Sequence, residues 1–581
     1  MPLCCIAVGM SCSDFDAMKH LSAWRHHFLG QLGVGWLAVC ALTALLVLLP
    51  VAVLVSYALD GSGELWTHLM QYVLPQAFKD SLVLLLGVGC IVITIGTGTA
   101  WLVTAYEFPG SRFFNWALLL PLAIPSYIIA YAYLDLWHPV GTLQEGIRYL
   151  LGYSSPRDLR LPDIRSMWGC ILLLGLVLYP YVYLPTRAAF HMQAAGLVEA
   201  SRTLGAGPWR IFFSIALPLA KPAIAIGGSL ALMETLNDIG ASEFLGIRTL
   251  TVSIYTTWTN RSSLAGASQI ALFMLAIVFA LIVIERWARR RQNYAASVRQ
   301  SQRLTKQRLR GVKAFTASLF TFMPILFGFI LPTGYLLIEA IKRIRFAGID
   351  AAIWQEAFNT IQVSVIATVL ATVLAFILTC SLRQTSRSQW FPRTLIRIAS
   401  IGYAVPGTVL ALGLLAPIGW LDNKIDTVAQ HFWGISTGLL FSGTTAMLVY
   451  AYVARFLAIG NGGIESGLSK IPKSIDDAAY SLGHNANTVA SKIHLPLCWP
   501  AIAAAMLLTF VDCMKELPAT LLLRPMNFET LATHLYGEAA RGTYESAAIA
   551  ALFIILIGLL PIMVLSRSGF SKKTGFKSTP R

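Results

Sequence analysis

Long apolar stretches recur along the whole chain and are separated by shorter polar segments. A helix that crosses a membrane needs about 20 mostly apolar residues, because lipid offers no partner for backbone N–H and C=O groups. The pattern predicts an all-α membrane protein with twelve transmembrane helices, and the even number predicts that both ends lie on one side. The predicted spans are residues 34–59, 81–105, 114–137, 167–190, 217–236, 268–287, 317–341, 359–382, 397–420, 433–457, 499–522 and 547–566.

Composition excludes a soluble protein. Hydrophobic residues make up 56% of the chain and charged residues only 12%, whereas soluble domains carry about 25% charged residues. The first apolar run, at 34–59, is too long for a signal-peptide core, and we interpret it as the first span. Either Met1 or Met18 could be the initiator.

Basic residues are concentrated in a few segments. The chain has 44 Lys and Arg against 28 Asp and Glu. Segment 289–313 holds nine Lys or Arg and no acid, and segments 383–397 and 567–581 are also basic without acids. Loops 60–80 and 523–546 are neutral to acidic. The positive-inside rule therefore predicts that the basic segments and both termini are cytoplasmic. A dedicated lipid-headgroup or nucleic-acid site in 289–313 is the less favoured interpretation.

Several classes of site have no support in the sequence. The nine cysteines form no CxxC pair and lie at no zinc-ligand spacing from a histidine, so we predict no disulfide framework and no tightly bound metal. The GxxxxGK[ST] phosphate loop is absent, and no catalytic cluster appears at membrane depth. The sequence predicts neither an ATPase nor another enzyme.

An internal repeat organises the chain. Residues 199–224 read EASRTLGAGPWRIFFSIALPLAKPAI, and residues 477–502 read DAAYSLGHNANTVASKIHLPLCWPAI, at an offset of 278. Weaker similarity at nearly the same spacing relates Ala123-Ile124-Pro125 to Ala404-Val405-Pro406. Parallel halves imply a pseudo-two-fold axis along the membrane normal with the translocation path between them. The predicted organisation is a cytoplasmic segment 1–33, a six-span half 34–288, a cytoplasmic linker 289–313, a second six-span half 314–566 and a cytoplasmic tail 567–581.

The repeated element lies between spans four and five of each half, on the basic side. We name it coupling loop one, at about 194–218, and coupling loop two, at about 472–496. Apolar residues recur at helical spacing in each copy, and Gly205 or Gly483 then ends the helix, because only glycine adopts left-handed backbone angles without a side-chain penalty. We expect a second short helix that ends at Leu-Pro, giving a cytoplasmic helix-turn-helix.

The repeated loops resemble the EAA loop of the membrane subunits of binding-protein-dependent ABC importers. Two positions depart from that motif, Ser201 in the first copy and Asp477 in the second, and both preserve size and sign. The resemblance implies coupling helices that dock into grooves on two copies of a separate ATPase subunit, which would carry the ATP and Mg, with no cofactor in this chain. An ordinary amphipathic helix packed on its own spans is the alternative. The motif residues are Glu199, Ala200, Gly205, Ile215, Leu217 and Pro218 in loop one, and Asp477, Ala478, Ala479, Gly483, Ile493, Leu495 and Pro496 in loop two.

Ionisable and polar residues near the ends of spans five and eleven are candidates for a substrate pathway. Such residues are costly in a membrane, so they invite a functional interpretation. Their spacing of three or four residues predicts that each set shares one helical face. The alternative is a structural pair of Asp512 with Lys515, with Glu516 merely ending the span. The candidates are Glu234, Asn237 and Asp238 in the first half and Asp512, Lys515 and Glu516 in the second.

The sequences METLNDIGASEF at 233–244 and DCMKELPATLLLRP at 512–525 resemble the fused permease of ferric-iron importers. That resemblance implies transport of ferric ion across the inner membrane from a periplasmic binding protein, with ATP binding drawing the coupling helices together. Acidic side chains suit a hard cation. Alternatives are a permease of the same class for thiamine, polyamines or an oxyanion, and a secondary transporter driven by an ion gradient.

Overall fold

A computed structural model describes residues 34–153, 155–193, 195–290, 305–385, 390–399, 402 and 405–570. The predicted cytoplasmic segment 1–33, the linker residues 291–304 and the tail after residue 570 lie outside the described residues, as do Arg387 and Ala404.

The described chain is almost entirely helical. Its helices are α1 Val34–Asp60, α2 Glu64–His68, α3 Leu74–Ala105, α4 Ser111–Ala117, α5 Ser126–Leu136, α6 Thr142–Leu151, α7 Met167–Gln193, α8 Ala195–Thr203, α9 Pro208–Ile211, α10 Leu217–Asn237, α11 Gly240–Phe244, α12 Leu250–Arg261, α13 Leu264–Arg290, α14 Gly311–Ile325, α15 Leu331–Ala347, α16 Ala351–Gln384, α17 Trp390–Ala399, α18 Gly407–Trp433, α19 Thr445–Leu468, α20 Lys473–Ser481, α21 Ala486–Val489, α22 Leu495–Met514, α23 Pro518–Leu523, α24 Leu531–Arg541 and α25 Tyr544–Phe570. Two short strands, β1 Tyr106–Glu107 and β2 Gln307–Arg308, pair in parallel.

The predicted all-α membrane architecture is confirmed. Among the described residues, ten helices are long and apolar enough to cross a membrane, and a bent helix pair raises the number to eleven. The predicted twelve spans therefore differ from the structure at a few places. The helices also run longer than the apolar stretches that predicted them, since helix Glu64–Ala105 covers 42 residues and Gly311–Ala347 covers 37.

Proline accounts for two of the differences. The span predicted at 114–137 is two segments, Ser111–Ala123 and Ser126–Leu136, bent by 90° at Pro125. The span predicted at 397–420 is not one helix either, because α17 ends at Ala399 and α18 begins at Gly407, directly after Pro406. The two prolines have nearly identical backbone angles, φ −59° and ψ 148° against φ −57° and ψ 144°. Proline fixes φ and disfavours helix at the residue before it, so both predicted continuous spans were wrong.

The span predicted at 433–457 begins only at Thr445 and runs to Leu468. Residues 434–444 instead form a loop whose backbone N–H groups are bound by two carboxylates of α18. Asp422 accepts from Phe441 N and Ser442 N at 3.0 and 2.7 Å, and Asp426 accepts from Thr437 N at 2.7 Å. These bonds replace the intrahelical bonds that a span would have made.

Among the residues that the structure describes, four helices contain a five-residue π-helical segment, and each segment directly precedes a Leu-Pro pair. Proline has no N–H, and its ring collides with the carbonyl four residues earlier in an α-helix. A π-helical turn inserts one residue and moves that carbonyl away, so the helix continues through the proline. The segments are Leu69–Val73, Phe212–Ala216, Leu326–Ile330 and Ala490–His494.

The repeat is visible in matching hydrogen bonds of the two halves. Thr249 caps α12 by accepting from Val252 N, and Thr530 caps α24 by accepting from Thr533 N. A hydroxyl from an earlier span then binds the first N–H of each helix at 2.9 Å, from Ser81 in one case and from Thr360 in the other.

The chain divides into two compact units that interleave along the sequence. The smaller unit comprises the described residues up to Ala52 together with Val363–Val405 and Ala446–Cys513. Its helices approach closely at small residues, as is common in membranes. A Cβ at Gly463 of α19 would lie 2.8 Å from the Cβ of Ala505 in α22, and one at Gly460 would lie 2.9 Å from the Cβ of Ala375 in α16.

The larger unit comprises Val53–Gln362, Pro406–Thr445 and the described residues from Met514 onward. Buried tyrosines of α7 bind carbonyls where α4 ends and the bent segment begins. Tyr179 donates to Leu118 O and Tyr183 to Asn115 O, both at 2.9 Å. Non-helical backbone at membrane depth is tolerated only where its polar groups find partners, and these hydroxyls provide them.

Candidate functional site

Coupling loop one has a tight backbone turn at its glycine. Helix α8 ends at Thr203, Leu204 N donates to Ala200 O at 3.1 Å, and Ala206 N donates to Ser201 O at 3.0 Å. Gly205 adopts φ +79°. A side chain at this φ would be strained, so the glycine is required by the turn.

Coupling loop two repeats this turn. Leu482 N donates to Ala478 O at 3.1 Å, His484 N donates to Ala479 O at 3.1 Å, and Gly483 adopts φ +83°. The predicted end of each first helix at glycine is confirmed. The prediction that a second short helix ends at Leu-Pro is wrong: α9 and α21 continue through their π-helical segments into α10 and α22, as single helices Pro208–Asn237 and Ala486–Met514.

Both loops present an apolar side chain to solvent at the turn. Leu204 is 87% exposed and Leu482 is 79% exposed. Of the acidic motif residues, Glu199 is partly exposed and Asp477 is exposed, while Ala200 and Ala478 are exposed and Ala479 is buried. Within the remaining motif positions, Ile215, Leu217, Pro218 and Ile493 are partly buried, and Leu495 and Pro496 are exposed.

Coupling loop one is anchored by the linker. The Glu199 carboxylate accepts from Thr305 Oγ1 at 2.6 Å and from Thr305 N at 3.1 Å. Arg202 donates to Thr305 O at 2.7 Å. The two hydrogen bonds from Thr305, with a smaller contribution from the Arg202 charge, lower the pKa of Glu199.

The linker also binds the end of α3. Lys306 Nζ donates to Val103 O at 2.7 Å, and β2 pairs with β1 so that Tyr106 lies opposite Gln307. Residues 101–105 of α3 contain no charged side chain, so the cation at this helix end comes from the linker. Cations stabilise the carbonyl end of a helix.

Coupling loop two is anchored by a buried charged cluster. Arg383, in the last turn of α16, donates to the Asp476 carboxylate at 2.6 Å and to Ile471 O at 2.9 Å. His494 Nε2 lies 2.9 Å from Asp476, and Cys380 Sγ lies 3.7 Å from His494 Nδ1. Burial raises the pKa of Asp476, but the bonds from Arg383 and His494 outweigh it, and the net shift is downward.

Sequence comparison pointed to Asp477, not to its neighbour Asp476, because Asp477 is the residue that matches the repeat. The matched residues of copy one explain why Asp476 was missed. At the offset of 278, Asp476 corresponds to Val198 and His494 to Ala216, which are both buried apolar residues. A repeat search finds what the copies share, and this cluster exists in one copy only. The signal for it was the acidic doublet together with an arginine in the last turn of α16.

The candidate pathway residues of the first half lie at a helix break. Helix α10 ends at Asn237, and Asp238 has an extended backbone. The buried Asp238 carboxylate accepts from Ser242 N at 2.8 Å and from the Ser126 hydroxyl. Asn237 Oδ1 accepts from Gly407 N at 2.8 Å, at the start of α18. The prediction that Asp238 shares a helical face with Glu234 is therefore wrong, because the Asp238 carboxylate binds backbone N–H groups of the next short helix.

The second half has the same kind of break. Helix α22 ends at Met514, so Lys515 and Glu516 also lie beyond the helix that carries Asp512. The buried Glu516 carboxylate accepts from Ala519 N at 3.1 Å. The two breaks converge on Tyr127 of α5: its hydroxyl lies 3.4 Å from Lys515 O, and a Cβ at Gly240 would lie 2.4 Å from the Tyr127 Cβ.

Glu234, Asp512 and Lys515 are partly buried. Within the part of the chain that the structure describes, no group of three or more His, Cys, Asp or Glu side chains has the arrangement of a metal site. In the structure, the side chains of Asn237, Asp238 and Glu516 each accept a hydrogen bond from a backbone N–H near the start of a helix. That any of the six candidate residues contacts a substrate stays a prediction.

Comparison with known proteins gives a family. A family model described as "Binding-protein-dependent transport system inner membrane component" matches residues 91–294 and again 371–568. The chain is 25% identical over 507 residues to the Fe(3+)-transport system permease protein FbpB 2 of Haemophilus influenzae, covering 86% of this chain and 90% of that protein.

Other relatives match one half. The molybdenum transport system permease protein ModB of Escherichia coli is 29% identical over 34% of this chain and 86% of its own length. A putative 2-aminoethylphosphonate transport system permease protein PhnU of Salmonella choleraesuis is 28% identical over 41% of this chain and 86% of its own length. The family model matches the chain twice, which explains the internal repeat as two copies of one permease sequence in a single polypeptide. The chain is a multi-pass inner-membrane protein that belongs to the family of binding-protein-dependent transport system inner membrane components.

Proposed function

We propose that this chain is the permease of an ATP-driven importer for ferric ion, which a periplasmic binding protein delivers. The observation that carries the proposal is the match, over 86% of this chain, to a protein named for Fe(3+) transport. The relatives named for molybdenum and 2-aminoethylphosphonate cover only 34% and 41% of this chain. The resemblance of residues 233–244 and 512–525 to the ferric-iron permeases points the same way.

Coupling to ATP is proposed for the two loops. Each loop has a glycine turn that presents an exposed leucine beside small residues, which suits a helix docking into a groove. Two such loops call for two copies of the ATPase subunit, with ATP and Mg bound there and no cofactor in this chain. The basic segments support a cytoplasmic position for both loops and both termini.

For the pathway, we propose that Glu234 and Asp512 meet the substrate. They occupy equivalent positions in α10 and α22 and are partly buried. Carboxylate oxygens are the ligands that a hard trivalent cation prefers. Asp238, Glu516 and Asn237 hold the breaks that follow, and Lys515 lies at the second break.

The test of the substrate is uptake of radiolabelled ferric ion into vesicles that contain the permease, its ATPase and its binding protein. We expect uptake that requires all three components and ATP, and that molybdate or 2-aminoethylphosphonate does not inhibit. The alternative is an oxyanion permease, which the relatives named for molybdenum and 2-aminoethylphosphonate favour. Binding-protein-dependent uptake of molybdate in place of ferric ion would establish the alternative.

The test of the coupling loops is the double change Gly205→Val and Gly483→Val. A β-branched residue at φ near +80° distorts the turn, so we expect ATP hydrolysis to continue without uptake. Gly152→Val is the matched control, because Gly152 has φ +80° and open space around it but lies outside the coupling loops. Normal uptake by the double variant would refute the coupling assignment and leave the substrate assignment standing.

A further inference from the structure

A cavity of about 940 Å³ lies beneath coupling loop one. It is lined by residues of α3, of α14, of the coupling loop and of the linker strand β2. Aromatic rings line much of it. They are Trp101, Tyr106, Trp209, Phe212 and Phe320.

The aromatic rings of the cavity contact one another and a neighbouring ring. Trp101 is buried and packs on Phe212 with ring centroids 5.7 Å apart. Trp209 stacks on Phe213 at 5.9 Å, yet it is 74% exposed. Exposed tryptophan at the end of a span is typical of the membrane–water interface, where its ring lies at headgroup level.

The charge of the cavity has one sign. Arg202 and Lys313 line it, and no acidic residue does. Arg202 donates one described bond, to Thr305 O, and its guanidinium has five N–H donors. Lys313 is exposed. Apolar walls with two cations among the lining residues match an amphiphile whose head is anionic and whose tail is a hydrocarbon chain.

We propose that this cavity binds an anionic phospholipid of the cytoplasmic leaflet, with its phosphate at Arg202 and Lys313 and an acyl chain against the aromatic wall. Basic pockets beside spans on the cytoplasmic side bind anionic headgroups in this way. The inference rests on the proposed orientation, which puts coupling loop one in the cytoplasm.

The second coupling loop has none of these features at the matched positions. Arg202 corresponds to Tyr480, Trp209 to Asn487 and Phe212 to Ala490. The side chain of Asn487 accepts from Trp36 Nε1 at 2.6 Å. The lipid site is therefore a property of the first loop, and the bound lipid would contact the loop, the linker strand and α14 at once.

The experiment is native mass spectrometry of the full chain in mild detergent, titrated with phosphatidylglycerol and with phosphatidylcholine of the same acyl chains. We expect one tightly bound phosphatidylglycerol. A basic residue near an anionic headgroup contributes about a fivefold gain in affinity, so the double change Arg202→Gln and Lys313→Gln should weaken binding about 25-fold. The matched control is Lys473→Gln with Lys492→Gln in coupling loop two, which should leave the affinity unchanged.

A second variant is needed because Arg202 also binds the linker, at Thr305 O. Thr316→Trp fills the cavity without changing charge, and it should abolish the same binding event. Equal binding of both lipids, unchanged binding in either cavity variant, or displacement of the lipid by glycerol phosphate or by the added ATPase subunit would overturn the proposal. None of these results bears on ferric uptake, so this inference can fail while the proposed function stands.

Discussion

Coupling loop one and coupling loop two have the same backbone turn and different anchors. Gly205 and Gly483 differ by only 4° in φ, and the flanking hydrogen bonds correspond residue by residue. Yet loop one is fixed by the exposed linker residue Thr305, whereas loop two is fixed by a buried charged cluster inside its own compact unit. The comparison shows that the shape of the loop is set locally, by glycine and the Leu-Pro pair. The residues that hold the loop in place can differ between the two copies.

The largest expected effect is on the buried anchor. Removing one partner of a buried ion pair leaves the other charge without compensation and costs about 3–5 kcal/mol. We therefore expect Arg383→Met to destabilise the chain by that amount, measured as thermal unfolding in detergent. The triple change Arg383→Met, Asp476→Val and His494→Ala, which copies the apolar core of loop one, should recover most of the loss. If the triple variant is no more stable than the single one, the two loops are not interchangeable in their cores.

A second comparison uses pH. The pKa of Asp476 is lowered in the fold, so its stabilising contribution is present above the unfolded pKa of about 3.9 and is lost as the pH falls through the folded value. We expect the difference in unfolding temperature between the wild type and Asp476→Asn to be constant above pH 5 and to shrink below pH 4. A difference that grows on acidification would contradict the charged anchor.

The shared turn gives an equal effect in both loops. Alanine in place of a glycine with positive φ costs about 1 kcal/mol. Gly205→Ala and Gly483→Ala should therefore destabilise equally, in spite of the different anchors. A twofold or larger difference between the two in thermal unfolding would show that the anchors strain the turns.

The smallest expected effect is on the exposed anchor. Glu199→Gln weakens the bonds to Thr305, so trypsin should cleave the linker at Lys306 and Arg308 a few times faster. The matched change Asp477→Gln, at the equivalent position of loop two, should leave the rate of cleavage at Lys306 and Arg308 unchanged. Equal rates for the wild type and Glu199→Gln would show that β-pairing alone holds the linker.

Much of this architecture could be predicted from sequence. Hydropathy located the spans, and the two-copy motif located both turns, because both signals depend on local residues. The breaks at Asp238 and Glu516 were read as helix, since their cause is the capture of N–H groups by side chains, which hydropathy does not represent. The cluster of Arg383, Asp476 and His494 joins residues 93 and 18 positions apart, so neither hydropathy nor the repeat brings its members together.

The π-helical segments bear on how the spans are compared between relatives. Each one inserts a residue into the helix and rotates everything after it by about 100°, since an α-helix turns 3.6 residues per revolution. A helical wheel drawn through Pro208–Asn237 therefore superimposes two different faces. The same shift means that a relative lacking one residue before its Leu-Pro pair would present surfaces rotated by about 100° beyond the deletion, so gaps at these four places are structural events rather than errors of alignment.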